Sequence, residues 1–223
     1  MPRDTWWNLP EPKRARVVDA AMGEFGRRGF SAGSLNVIAR EARIAKGSLF
    51  QYFDDKLDLF TVTCAEVSDR ARDAVLGGVD LGASFFGVLH DITDRWLDYF
   101  GTHPLERGIA FAAAHEMDPA AGAAVRSVTN AKFVDALEPL VKQAADDGDF
   151  APHVDPKEVV AMVVLVLRHL DSAPFVSHLD PILGLYDRPP EEVRKIARRL
   201  VTAVSRAYAA HPEPFAPGPE GIT

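Results

Sequence analysis

The chain has 223 residues, 25 Lys or Arg against 32 Asp or Glu for a formal charge of −7, and one cysteine. That cysteine content excludes an intramolecular disulfide and fits a reducing cytoplasm, while the longest apolar run, nine residues from Val159 to Leu167, falls short of the roughly 20 a membrane span needs. Residues 1–60 hold ten basic against eight acidic side chains and the remainder carries −9, so the basic surplus, small as it is, marks the N-terminal quarter as the place to look for a nucleic-acid surface.

Residues 1–12, with three prolines, Arg3 and Trp6-Trp7, predict a flexible N-terminal arm whose arginine suits a minor groove. A first long helix runs from Pro12 or Lys13 to Arg28, with Val18, Ala21, Met22 and Phe25 on its buried stripe and Gly29 as a left-handed stop. Ser34 is an N-cap for Leu35 to Ala42, where Leu35, Ile38, Ala39 and Ala42 fall at the i, i+3, i+4, i+7 positions of one face. Arg43-Ile44-Ala45 breaks the chain before a shorter helix, Lys46 to Phe53. Leu49 and Phe53 point inward; Lys46, Gly47, Ser48, Gln51 and Tyr52 fall on the outward side. Two crossed helices and a tight turn make a helix-turn-helix. Asp54 then caps a long helix that ends at Gly77-Gly78, with Lys56 in its first turn.

The outward set suits a major groove. Gln51 can pair with adenine through two hydrogen bonds, Ser48 can serve several bases, and Gly47 allows close backbone approach. Lys46 and Tyr52 suit phosphates, and Ser34 and Lys56 add donors and a cation at helix starts where backbone amides are free. Phe25, Gly29-Phe30, Ile38-Ala39, Lys46-Gly47-Ser48-Leu49-Phe50, Tyr52-Phe53 and Lys56-Leu57 together resemble the N-terminal signature of the TetR family of transcriptional regulators over about 45 residues. The resemblance implies an all-helical, ligand-responsive, homodimeric repressor. Three N-terminal helices would bind an operator, and a divergent C-terminal domain would hold the effector and the dimer interface. Arg43 stands where the family commonly has glycine in the turn, and an arginine there reaches toward a phosphate. The candidate DNA contacts are therefore Ser34, Arg43, Lys46, Gly47, Ser48, Gln51, Tyr52 and Lys56.

Further helices are predicted over Gly82 to Phe100, Pro104 to Met117, Pro119 to Asp147 with Pro139 as a bend or re-start, from Asp155-Pro156 through the nearly all-apolar Val159 to Leu170, and Pro190 to Ala210. No segment alternates like paired strands, so the fold class is all-α. The expected divisions are an arm (1–12), a helix-turn-helix domain (13–60), a ligand-binding and dimerisation domain (61–210) and a disordered tail (211–223).

Aromatic density beyond residue 80, with the pocket that the resemblance implies, makes Trp96, Phe100, Phe111, His115, Arg168 and Phe175 the ligand-lining candidates. His115 serves equally well as a core histidine, and Arg168 in an apolar helix needs a partner such as Asp171 or an acidic ligand. The apolar faces of Val159–Leu170 and Val193–Tyr208 suggest a homodimer through a four-helix bundle. His115-Glu116 lacks a second histidine, His90 and Asp94 are an isolated pair, and Asp146 to Asp149 falls short of a calcium loop. No catalytic residue, metal or cofactor is assigned, and Cys64 reads as a small buried side chain. The expectation is a repressor that a small molecule releases from a palindromic operator. The alternative is a helical protein-interaction adaptor without sequence-specific DNA binding.

Overall fold

Start signals written in Asp and Pro place most of the helices. The computed structural model describes residues 2–80 and 83–211. They form α1 (Asp4–Trp7), α2 (Glu11–Ala32), α3 (Leu35–Glu41), α4 (Lys46–Tyr52), α5 (Lys56–Leu76), α6 (Phe85–Thr102), α7 (Pro104–Ala114), α8 (Pro119–Asp146), α9 (Pro156–Leu170) and α10 (Pro190–Tyr208). The expected tail beyond His211 and the helix start expected at Gly82 lie outside the described residues. Proline stands in the first turn of α2, α7, α8, α9 and α10, where its missing N–H costs no helical bond. Asp118 and Asp155 accept from the Ala121 and Lys157 amides, satisfying donors that a helix start leaves free. Among the described residues an isolated bridge between Phe150 and Ala209 is the sole β feature, and the class is all-α as expected.

One expected cap changes, and two other positions take a definite form. α5 is capped by Asp55, whose carboxylate accepts from the Asp58 amide at 2.8 Å; Asp54 instead accepts from Arg3 at 2.9 Å. Gly29 interrupts α2 with a non-helical, positive-φ backbone, as the expected stop requires, and a short helical stretch follows it to Ala32. Its φ of 68° and ψ of −178° are open to glycine alone, and they turn the Phe30 amide toward the Glu116 carboxylate at 3.1 Å. Of the two readings of Pro139, a bend or a re-start, the re-start does not occur, because α8 is continuous across it.

Two apolar cores are joined by α5. Trp6, Val18, Met22, Phe25, Ile38, Leu49, Phe53 and Phe60 pack in the N-terminal core, which also takes in Cys64 and Val67 of α5, Ile109 and Ala113 of α7, and Val125 of α8. The larger core begins further along the same helix with Ala71 and Val75 and is built on α6, α8, α9 and α10. Packing therefore does not divide at residue 60. One long helix runs from the base of the helix-turn-helix into the second core.

α2 and α7 meet backbone to backbone. A Cβ on Gly26 would lie 3.2 Å from the Gly108 carbonyl carbon, and a Cβ on Gly108 3.2 Å from the Gly26 Cα. Gly26→Val puts a branched side chain where neither helix has a side chain to rotate away. Overpacking of this kind typically costs about 1–3 kcal/mol, and urea unfolding should show a loss in that range; an unchanged midpoint would mean that α7 moves freely away from α2.

Candidate DNA-binding face and ligand cavity

α3 ends in a motif that reverses the chain in three residues. The Ile44 amide bonds to the Ala39 carbonyl at 3.0 Å and the Arg43 amide to that of Arg40 at 3.1 Å, the paired bonds that close a helix around a left-handed residue. Arg43 is that residue, with φ at 56°, a conformation costing an L side chain roughly 1–2 kcal/mol and glycine almost nothing. Because glycine also gains unfolded-state freedom, Arg43→Gly is expected to stabilise by no more than about 1 kcal/mol. A clear loss of stability in chemical unfolding would show that the guanidinium contributes more than its backbone costs.

α4 packs through Leu49 and Tyr52, with Phe53 buried just past its end. The inward placement of Tyr52 corrects the expectation that it faces outward. It lies i+3 from Leu49 on the same side of the helix, is 5% exposed, and its hydroxyl accepts from Lys13 Nζ at 3.1 Å. Lys46, Gly47, Phe50 and Gln51 are exposed and Ser48 is half-buried, a contiguous outer face.

The N-terminal segment expected to be a flexible arm is seated on the end of α4. The Arg3 amide donates to the Tyr52 carbonyl at 2.9 Å, and the Thr5 hydroxyl donates to the Gln51 carbonyl. Trp6 is 2% exposed, with its ring centroid 4.8 Å from Phe53 and 6.2 Å from Tyr52. Its apolar area is the physical reason the segment folds: the indole fills the gap that α4 leaves above Phe53.

A cavity of about 70 Å³ lies among α5, α6, α7, α8 and α9. Its wall is apolar, with Val67 and Ala71 from α5, Trp96 and Phe100 from α6, and Phe133 and Leu137 from α8. Wall donors are already committed to backbone carbonyls: Ser68 to Cys64 at 3.0 Å, Thr129 to Val125 at 3.0 Å, and Trp96 Nε1 to Leu167 at 2.8 Å. Burial, with Glu116 adding to it, pushes the Cys64 thiol up, which keeps it out of the reactive thiolate form. Arg72, Lys132, Arg168 and Asp171 also line the cavity. Lys132 Nζ lies 2.6 Å from both carboxylate oxygens of Asp69, and Arg72 donates to Asp69 at 2.9 Å and to Asp73 at 2.8 Å. Arg168 donates to Asn130 at 3.1 Å and stands 5.9 Å from the Phe133 ring centroid; it acts on Asp171 only through space, so Asp171 is not the contact partner expected for it. Asp171 is 5% exposed and accepts from the Ser172 hydroxyl. Burial raises its carboxyl to about 7, with the Ser172 bond and the Arg168 charge acting in the opposite direction.

Residues 17–63 match the model of the bacterial regulatory proteins of the tetR family. That segment is a DNA-binding domain of the tetR type. Among curated relatives, the chain is 35% identical over 98 residues to the HTH-type transcriptional repressor SCO4008 of Streptomyces coelicolor, covering 43% of this chain and 46% of that protein. It is 36% identical over 67 residues to the HTH-type transcriptional regulator HbdR of Aromatoleum sp., covering 30% and 29%. The chain thus spans under half the length of these relatives. Among solved structures it shares the fold of the fatty acid degradation regulator FadR from Bacillus halodurans, at TM-score 0.70 and 15% identity over 87% of this chain and 96% of the other. Bacillus subtilis FadR in complex with stearoyl-CoA gives TM-score 0.68 and 12% identity over 84% and 96%. At such identities the likeness is one of fold.

Within this tetR-type segment the expected DNA contacts separate by what holds them. Arg43, Lys46, Gly47 and Gln51 are exposed beside half-buried Ser48, whereas Tyr52 belongs to the core. Lys56 Nζ donates to the Ser31 and Gly33 carbonyls at 3.1 and 3.4 Å and lies 4.5 Å from the Phe30 ring centroid, so it ties α5 to the end of α2. Ser34 makes no side-chain cap; its amide donates to Glu24 at 3.0 Å. Phe50, 42% exposed, was not among the expected contacts, although its place i+4 from Lys46 put it on the same face.

Of the ligand candidates, Trp96, Phe100 and Arg168 line the cavity. Phe111, His115 and Phe175 do not. His115 is an exposed C-cap whose Nδ1 is 2.9 Å from the Phe111 carbonyl and whose ring stacks on Phe111 at 4.2 Å. Phe175 is part-exposed, with the Arg107 guanidinium 3.8 Å from its ring centroid. The α8 stripe of Thr129, Lys132, Phe133, Ala136 and Leu137 was missed as cavity lining, though its i, i+3, i+4, i+7, i+8 spacing is visible in the sequence.

Proposed function

We propose that this chain is a homodimeric, cytoplasmic transcriptional regulator that a small molecule releases from a palindromic operator. The observation that carries the reading is the path of α5, which starts beneath the helix-turn-helix and lines the cavity from Cys64 to Leu76. Anything that spreads the cavity wall tilts the support of α4. A wall enclosing about 70 Å³ is smaller than the roughly 300–1,000 Å³ of small-molecule sites, so an effector must widen it. It shifts the DNA-binding equilibrium only as far as it prefers the widened state.

At the operator, Gln51 and Ser48 would read base edges, Gly47 would let the backbone approach, and Phe50 would meet a thymine methyl. Lys46 and Arg43 would hold phosphates. Support for the dimer comes from α9, where Leu165 is 66% exposed within the apolar run from Val159 to Leu167, and from the adjoining face of α10. The Streptomyces relative is named a repressor and the Bacillus subtilis structure holds stearoyl-CoA; both support a ligand-released repressor. No catalytic role is assigned.

The test is selection of DNA from a random pool by full-length protein, followed by fluorescence anisotropy across salt. A palindrome should be recovered, with Gln51→Ala losing about 1–3 kcal/mol at one matched base pair. Lys46→Ala should weaken every sequence alike and lower the salt slope by about one. No enrichment by folded, ligand-free protein would favour an adaptor.

A further inference from the structure

We propose that the cavity takes a lipophilic organic cation, with the Asp171 carboxylate as counter-ion and Trp96, Phe100 and Phe133 as its aromatic wall. The inference rests on the ligand-responsive reading for its effect on DNA, but not for binding itself.

Asp171 is placed where an anion is least supported. It is buried, it follows the last residue of α9, and its side chain bonds to the Ser172 hydroxyl alone among the described residues. The C-terminal end of a helix carries partial negative charge and disfavours a carboxylate further. A buried carboxylate needs a cation beside it, and none of the nearby cations bonds to it, Arg168 acting only through space. Lys132 and Arg72 are matched by Asp69 and Asp73, and Arg168 is directed to Asn130 and the Phe133 face.

The rest of the cavity fits the other half of such a ligand. Trp96 lies 4.7 Å from Phe100 and 5.4 Å from Phe133 between ring centroids, and electron-rich ring faces attract organic cations. The Leu167 carbonyl accepts both Trp96 Nε1 at 2.8 Å and the Asp171 amide at 3.1 Å. One backbone atom thus fixes the aromatic cluster next to the turn that carries the carboxyl. Ser68, Thr129 and Trp96 have their donors committed to carbonyls, so the wall reads shape and charge rather than a pattern of hydrogen bonds. With its carboxyl held at about 7, Asp171 releases its proton to solvent at neutral pH with little resistance when a cation arrives.

Three probes of one size separate the possibilities: phenyltrimethylammonium, its neutral isostere tert-butylbenzene, and benzenesulfonate. Each is titrated calorimetrically into the full-length protein at pH 7.5. The cation is expected to bind saturably and more tightly than the neutral isostere. Asp171→Asn, which keeps the shape and the Ser172 contact, should weaken the cation about tenfold or more and leave the neutral probe unchanged. Arg168→Gln, which removes an opposing charge, should tighten it severalfold; loss of folding would not produce these opposite signs. Equal binding of cation and neutral probe, preference for the sulfonate, or no saturable binding of the cation would each overturn the proposal. Repeating the titration on the protein–operator complex separates the two readings. A cation that binds through Asp171 yet leaves DNA bound defeats ligand release and not the site.

Discussion

Trp6→Ala is expected to lower the unfolding free energy by about 3–5 kcal/mol, the range for deleting a large buried aromatic. Its indole is 2% exposed and sits between Tyr52 and Phe53, so truncation opens a void at the join of α1 and α4. α4 has seven residues, too few to hold a helix by itself. It relies on packing through Leu49 and Tyr52, and on Arg3 and Thr5 to satisfy the Tyr52 and Gln51 carbonyls at its end. Loss of the indole removes the anchor of the segment that supplies those donors. Affinity for selected DNA should therefore fall beyond what the unfolded fraction explains, and Trp6→Phe should recover most of both properties. Wild-type stability and affinity in Trp6→Ala would show that the segment is not needed to hold α4.

The second large effect is a pH dependence located at one carboxyl. Asp171 is raised from 3.8 to about 7 by burial. Between these values the folded state keeps a proton that the unfolded state has released, so its contribution to stability is full below pH 4, falls as pH rises, and is gone above pH 7. At 1.36 kcal/mol per unit, the fall amounts to at most about 4 kcal/mol. Asp171→Asn has no such proton to lose. Its urea-unfolding free energy should match that of the wild type near pH 4 and exceed it at pH 8 by up to that amount. Parallel pH curves for the two proteins would show that the folded-state carboxyl titrates at an ordinary value.

The limits of sequence reading show at particular residues. The helix pair Leu35–Glu41 and Lys46–Tyr52 is close to its sequence-based bounds because apolar spacing and a three-residue break are local signals. Tyr52 was misplaced because a short helix with one anchor, Leu49, leaves the edge of its buried face open, and the missing evidence was Trp6. The choice between Asp54 and Asp55 as the α5 cap could not be made from two adjacent aspartates; Arg3, far away in the chain, takes the first of them. Arg43 looked like a departure from the turn's usual glycine, yet its backbone takes the left-handed conformation with the arginine in place.

By itself, the sequence determined the helical class, the helix starts at Asp118, Asp155 and the prolines, the helix-turn-helix and the family that its N-terminal segment resembles. All of these depend on hydrogen bonds and side-chain spacings within a turn or two of helix. Tertiary structure alone decided that the N-terminal segment is a strut, that α5 belongs to two cores, that His115, Phe111 and Phe175 stand outside the cavity, and that Asp171 is buried on its wall. Each of those follows from contacts between segments distant in the chain. No local pattern records which apolar face will cover which, or which charge will be left inside when they close.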